Sequence, residues 1–262
     1  MHTATFTLNT VSFAYTDTPV LRDINLAFEP GHLYGIVGPN GSGKSTLLDL
    51  LAGHSSPTNG TVELNTTPVT SITPKTLAQQ CALVPQELDF NFPFTAFETV
   101  LMGRHPHIQR FARPSKNDLS IVESSLKSMD LGDLKNRYMA DLSGGEKQRT
   151  VVARGLAQNT PALLLDEPTS SMDIRHALTT MTELKRLASE GNRTIVAVLH
   201  DLNLAAAFCD TLVILNKGRV HAHGSVETTL TPETINAVFR IQAHVLNTDK
   251  GLHISYALKE LS

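Results

Sequence analysis

Five short apolar runs leave this chain few architectures: Tyr34–Val37, Ala82–Val84, Ala162–Leu165, Ile195–Leu199 and Leu212–Leu215. Each reads as a strand covered on both faces, which is what a parallel sheet requires. Helical stretches fall between them, notably Ser45–Leu51, Gly145–Ala157 and Arg175–Glu190. That alternation specifies an α/β core with helices covering the sheet. Alternating residues around Thr5–Ser12 and Leu21–Phe28 add half-buried antiparallel strands. From about Gln86 to Leu142 polar helical segments such as Ser115–Met129 take over, and they read as a helical lobe inserted into the core. After Gly224 a short helix, Pro232–Phe239, and two weak strands finish the fold.

The run Tyr34–Val37 leads into Gly38-Pro39-Asn40-Gly41-Ser42-Gly43-Lys44-Ser45-Thr46, and a helix leaves from it. A glycine-rich loop between strand and helix is the setting in which backbone N–H groups wrap around phosphates, helped by the field of the helix N-terminus. Lys44 is positioned to reach β- and γ-phosphates, and the Ser45 hydroxyl to coordinate Mg²⁺. A second strand, Ala162–Leu165, ends in Asp166-Glu167. Asp166 is expected at the carboxyl end of the sheet beside the phosphate loop, supporting Mg²⁺ directly or through water. Glu167, one residue on, is the candidate general base for an attacking water. Ser143-Gly144-Gly145 opens another helix, whose Val151, Val152, Leu156 and Ala157 are expected to face the core. Its N-terminal N–H groups form a second anion site. A chain with two such sites binds two anions, or presents one of them to a partner's nucleotide.

Composition limits the alternatives. With 262 residues the chain suits one large domain, and a net charge of −3 without a run of Lys or Arg argues against a nucleic-acid-binding face. Cys81 and Cys209 lack CxxC spacing, which fits a reducing compartment rather than a disulfide or metal framework. The longest apolar run, Leu204–Cys209, is six residues, whereas a spanning helix needs roughly 20. No signal peptide is apparent at the N-terminus, so work at a membrane would need another chain to span it. His105/His107 and His221/His223 have no third ligand type beside them and read as solvent-facing. Phe90, Phe92, Phe94 and Phe97 read as packing under the segment that Gln86 opens, with a share of them exposed.

The pentapeptide Leu142-Ser143-Gly144-Gly145-Glu146, lying between the phosphate loop and Leu163-Leu164-Leu165-Asp166-Glu167, resembles the signature of an ABC transporter nucleotide-binding subunit. The resemblance spans Tyr15 to about Gly224. It implies a P-loop NTPase core with an antiparallel β subdomain, over 1–85 and 143–262, and an inserted helical subdomain over 86–142. It implies two subunits paired head to tail around two ATP molecules, with Ser143 and Gly145 contacting the γ-phosphate held by the partner's Lys44. Gly144 and Glu146 complete that nucleotide-binding set. Tyr15 then stacks on adenine, Gln86 reaches Mg²⁺ and the attacking water, and His200 contacts the γ-phosphate.

The phrases Leu101–His107, Arg113-Pro114-Ser115, Leu156–Pro161 and Asp173–His176 look like subunits that import iron–siderophore, haem or vitamin B12. Met172, where the family usually has Leu, is a departure. The partners implied are transmembrane permease subunits, a second copy of the chain and, indirectly, a solute-binding protein, at the cytoplasmic face of the inner membrane. The ATPase of an exporter and a soluble ABC ATPase stay open. Chromosome-type members of the latter need a long coiled coil, whereas only 97 positions separate Ser45 from Leu142 here. Ribosome-acting members carry two cassettes. In a small-molecule kinase the signature and Glu167 have no job.

Overall fold

The computed structural model describes residues 3–86, 93–248 and 251–258. The chain opens with β1 (Phe6–Ala14), β2 (Pro19–Phe28) and β3 (Leu33–Val37), followed by α1 (Lys44–Leu51). Next come β4 (Asn59–Leu64), β5 (Thr67–Pro68), α2 (Pro74–Gln80) and β6 (Cys81–Val84). Two helices follow, α3 (Ala96–Leu101) and α4 (Lys116–Ser128), before α5 (Gly144–Gln158), β7 (Ala162–Asp166) and α6 (Ile174–Ser189). The remainder is β8 (Thr194–Val198), α7 (Leu202–Phe208), β9 (Thr211–Asn216), β10 (Arg219–Ser225), α8 (Val226–Thr229), α9 (Pro232–Phe239), β11 (Ile241–Thr248) and β12 (Gly251–Leu258).

The central sheet has the order β10-β9-β3-β8-β7-β6 and is parallel except for β10, which returns antiparallel beside β9. Its five parallel runs are apolar because successive residues serve two different cores. Leu33 and Val37 of β3, with Leu163 and Leu165 of β7, join the core under α5 and α6. Tyr34 and Ile36, with Ala162 and Leu164, join Phe6, Phe28 and Leu47 on the other side. That second core is roofed by an antiparallel sheet of order β2-β1-β4-β5. The sequence did not announce β4, where only Val62 and Leu64 are buried, nor the short β5. Parallel pairing also puts the carboxyl ends of β3, β6, β7 and β8 along one edge, where a ligand crevice forms in open α/β sheets.

Between β6 and α5 the described residues form α3, α4 and short 3₁₀ turns, with no strand but a single bridge between Thr95 and Tyr138. Phe97 packs partly buried against the main core, and the Phe94 carbonyl accepts a hydrogen bond from Met139 N–H at 2.8 Å. Phe90 and Phe92 lie outside the described residues. Arg104, which the sequence offered only as part of a family phrase, ties this lobe to α5. Its Nε donates to Asp118 Oδ1 at 2.9 Å and its Nη1 to the Ala157 carbonyl at 2.8 Å, with both side chains buried. The Ser115 hydroxyl and backbone N–H, with Arg104, hold the Asp118 carboxyl down to about 2. A depressed carboxyl stabilises the fold above the usual aspartate value, and that contribution is lost as pH falls toward 2. Arg104→Met, which strands Asp118, is expected to cost about 3–5 kcal/mol in urea unfolding at neutral pH; a cost under about 1 kcal/mol, the range of an exposed pair, would contradict this reading.

His105, His107, His221 and His223 are exposed. Both cysteines are buried, and burial pushes each thiol up to about 12, leaving no thiolate at neutral pH. No helix of the described residues is long and apolar enough to cross a membrane.

Candidate functional site

β3 stops at Val37, and the loop that follows turns back over the sheet edge into α1. At Gly38 a Cβ would stand 2.2 Å from the Leu215 carbonyl oxygen, so only glycine lets the loop pass β9 this closely. Lys44, the first residue of α1, curls back with its Nζ donating to the carbonyls of Gly38 at 2.9 Å and Pro39 at 3.2 Å. Burial lowers the pKa of this ammonium, with Glu167 and Asp166 opposing. Asn40, Gly41 and Ser45 are exposed, whereas Ser42, Gly43 and Thr46 are buried. Tyr15 is 64% exposed just past β1; its ring meets Phe13 edge-on at 4.8 Å, and its hydroxyl lies 3.4 Å from Thr46 Oγ1.

β7 delivers the two carboxylates. Burial raises the Asp166 pKa, countered by a hydrogen bond from Ser45, and Glu167 and Asp49 raise it further. Asp166 Oδ1 and Ser42 Oγ are buried without a hydrogen-bond partner among the described residues. Orphaned polar atoms this close to a phosphate loop are acceptor and donor places that a ligand completes. No three His, Cys, Asp or Glu of the described residues could hold a metal by themselves.

Glu167 sits at φ 49, the left-handed region, which costs a non-glycine residue of order 1–3 kcal/mol. The turn is fastened through its carbonyl, which accepts from Ser170 Oγ at 3.1 Å and Gln148 Nε2 at 3.4 Å. Its carboxylate is gripped from two strand ends: Gln86 Nε2 donates to Oε2 at 2.9 Å, and His200 Nε2 hydrogen-bonds Oε1. Gln86 follows β6 and His200 follows β8, so residues 81 and 33 positions away in sequence converge on one carboxylate. A cleft of ≈ 290 Å³ opens beside them, bordered by Ser170, Met172 and Leu204.

Ser143 caps α5, accepting from Glu146 N–H at 3.4 Å, while the Glu146 carboxylate accepts from Ser143 N–H at 2.7 Å. These bonds hold Glu146 below the usual carboxylate range. The Glu146 carboxylate thereby fastens the first turn of the helix that presents Ser143. A Cβ on Gly145 would lie 3.0 Å from the Ser171 carbonyl, which sets the start of α5 against the turn after Glu167. Ser143 and Gly144 are exposed, and among the described residues no hydrogen bond joins Ser143–Glu146 to Gly38–Thr46. Within one chain, then, the phosphate loop, Asp166, Glu167, Gln86 and His200 form one group, which α5 meets at the turn after Glu167 and not at the loop.

Two residues of this region were not singled out from the sequence. Gln148 reaches the Glu167 carbonyl, and the buried Arg149 donates from Nη1 to the carbonyls of Met129 and Asp130, both at 2.9 Å. A signal existed for Gln148, which lies one turn before Val152 on the buried side of α5.

The family model described as ABC transporter matches residues 21–170. The cobalamin import ATP-binding protein BtuD of Halobacterium salinarum is 43% identical over 222 residues, covering 85% of this chain and 55% of that protein. This chain thus spans about half the length of the cobalamin relative. The hemin import ATP-binding protein HmuV of Pseudomonas putida is 42% identical over 234 residues, covering 86% of this chain and 90% of that one. Among solved structures, a putative metal-chelate type ABC transporter in an inward-facing conformation superposes with a TM-score of 0.83 at 29% identity, over 98% of both chains. A dimeric ATP-binding cassette bound to ADP and phosphate superposes with a TM-score of 0.75 at 29% identity, over 84% of this chain and 98% of that one. With the glycine-rich loop, the Leu142–Glu146 pentapeptide and the acidic strand end on one α/β scaffold, the chain belongs to the ABC transporter family.

Proposed function

We propose that this chain hydrolyses ATP and, as a head-to-tail pair docked on transmembrane permease subunits at the cytoplasmic face of a membrane, drives import of an iron complex or vitamin B12. The observation that carries the reading is the Glu167 carboxylate, held between Gln86 and His200 on the sheet edge that bears Lys44. The names of the relatives, one for cobalamin, one for hemin and one for a metal chelate, support the cargo class. The cargo itself would be delivered to the permease by a solute-binding protein.

Each group has work that its surroundings suit. The loop amides of residues 38–46 and the Lys44 ammonium receive the phosphates, Lys44 exchanging its carbonyl partners for phosphate oxygens. Tyr15 offers an exposed ring to adenine. Mg²⁺ neutralises charge on the β- and γ-phosphates, and Ser45, Asp166 and Gln86 are the groups to hold it, Asp166 through its orphaned Oδ1. Glu167 takes the proton of the attacking water, while Gln86 and His200 keep its carboxylate aimed. Ser143 and Gly145 close the site from the second copy, since their own chain holds them apart from its phosphate loop. On the lobe, Phe111 is 93% exposed with the Arg110 guanidinium 5.0 Å from its ring centre, an apolar contact offered to the permease.

Lys44→Ala is expected to abolish ATP-induced thermal stabilisation; at a hundredfold excess of ATP over Kd the wild type gains about 2.7 kcal/mol. An unchanged shift would remove Lys44 from phosphate binding. For the transport reading, the tagged chain should bring a polytopic permease from its native membranes in mild detergent. Recovery of soluble partners alone would leave the ATPase and overturn transport.

A further inference from the structure

The C-terminal hairpin β11–β12 lies beyond the residues matched by the family model, and none of the proposed chemistry uses it. It is not a loose tail. Ile241, Ala243, Val245 and Leu252 pack against the main core, and Ile254, 2% exposed, is part of it. One side chain joins the hairpin to the start of α7 by a two-point contact. Asn203 Oδ1 accepts from Ile254 N–H at 2.8 Å, and Asn203 Nδ2 donates to the Ile254 carbonyl at 3.1 Å. The amide thereby pairs with the backbone of β12 much as a neighbouring strand would.

Asn203 is the second residue of α7, and His200 stands immediately before the Asp201 that caps this helix by accepting from Asn203 N–H and Leu204 N–H. A helix of seven residues is too short to hold its own conformation in water and takes its position from what it packs on. Here the partners are the sheet below, α6 and the hairpin, of which β12 makes the most extensive contact. A shift of β12 is therefore transmitted through Asn203 to the first turn of α7, and from there to the imidazole on Glu167.

We infer that Asn203 is a positioning residue for His200, and that the C-terminal hairpin sets the aim of the Glu167–His200 pair. The inference rests on the proposed ATPase, so its test has one arm that needs no turnover. Asn203→Ala and Asn203→Asp, the latter keeping the acceptor for Ile254 N–H, are made in the full chain and checked for intact folding by thermal melts. In ¹⁵N-labelled protein the His200 side-chain resonances should move in Asn203→Ala while those of His32 and His54 stay in place. Unmoved His200 resonances in both variants overturn the inference whether or not the chain hydrolyses ATP. In the turnover arm Asn203→Ala should lower kcat about tenfold with KM for ATP within about twofold, the worth of one or two hydrogen bonds. On a His200→Ala background the same substitution should add no further loss. Additive losses, or a KM that rises in step with the fall in kcat, overturn it. A wild type without turnover overturns the ATPase instead, and the resonances still decide the role of Asn203.

Discussion

Glu167→Gln is expected to lower ATP turnover by about 10²–10⁴-fold while ATP binding survives, the usual worth of a positioned general base. The amide keeps the shape of the side chain and can still bond Gln86, so the substitution removes basicity with little repacking. Nothing in the phosphate-binding loop depends on the carboxylate except its field on Lys44, where Glu167 raises a pKa that burial lowers. Affinity for ATP should therefore hold. Single-turnover hydrolysis beside equilibrium binding of a fluorescent ATP analogue separates the two quantities. Turnover within tenfold of wild type would take Glu167 out of the base role, and equal loss of binding and turnover would make it a structural residue.

Ser143→Arg is expected to remove hydrolysis by the pair and leave ATP binding to the single chain unchanged. The reasoning is geometric. Ser143 is exposed at the cap of α5, with no hydrogen bond to its own phosphate loop. A bulky cation there blocks whatever docks on the signature without touching the nucleotide pocket of the same chain. The substitution also removes a cap worth about 1 kcal/mol, so the melt should fall by a few degrees without loss of the fold. If Ser143→Arg weakens ATP binding to the isolated chain as much as it slows hydrolysis, the signature acts on its own nucleotide and the head-to-tail arrangement fails.

Much of the fold could be read from the chain because the parallel sheet is covered on both sides. A strand such as β8, buried at every position, leaves an apolar run that no exposed helix imitates. β4 left no such trace, since it lies in the roofing sheet with one face to solvent and only two buried side chains. The members of the candidate site could be picked out one by one because each sits at a strand end or helix start with its own local signal. Its assembly was not. The convergence of Gln86 and His200 on Glu167 depends on which strands are neighbours, and strand order is set by long-range packing. Arg104, Arg149 and Asn203 were silent for a related reason: each has a backbone partner distant in sequence, and a polar side chain aimed at a remote carbonyl has no periodicity to betray it. Glu146 carried a local signal of another kind, since its position three residues after Ser143 specifies the capping box that the structure has.

ATP as a reversible clamp between two copies is open to a plain mass measurement. Light scattering coupled to gel filtration on Glu167→Gln, with and without saturating ATP and Mg²⁺, compares the two states in the variant that cannot discharge them. Twice the mass of one chain with ATP, reverting to a single chain with ADP, is the result expected. A single chain at saturating ATP would contradict the shared sites.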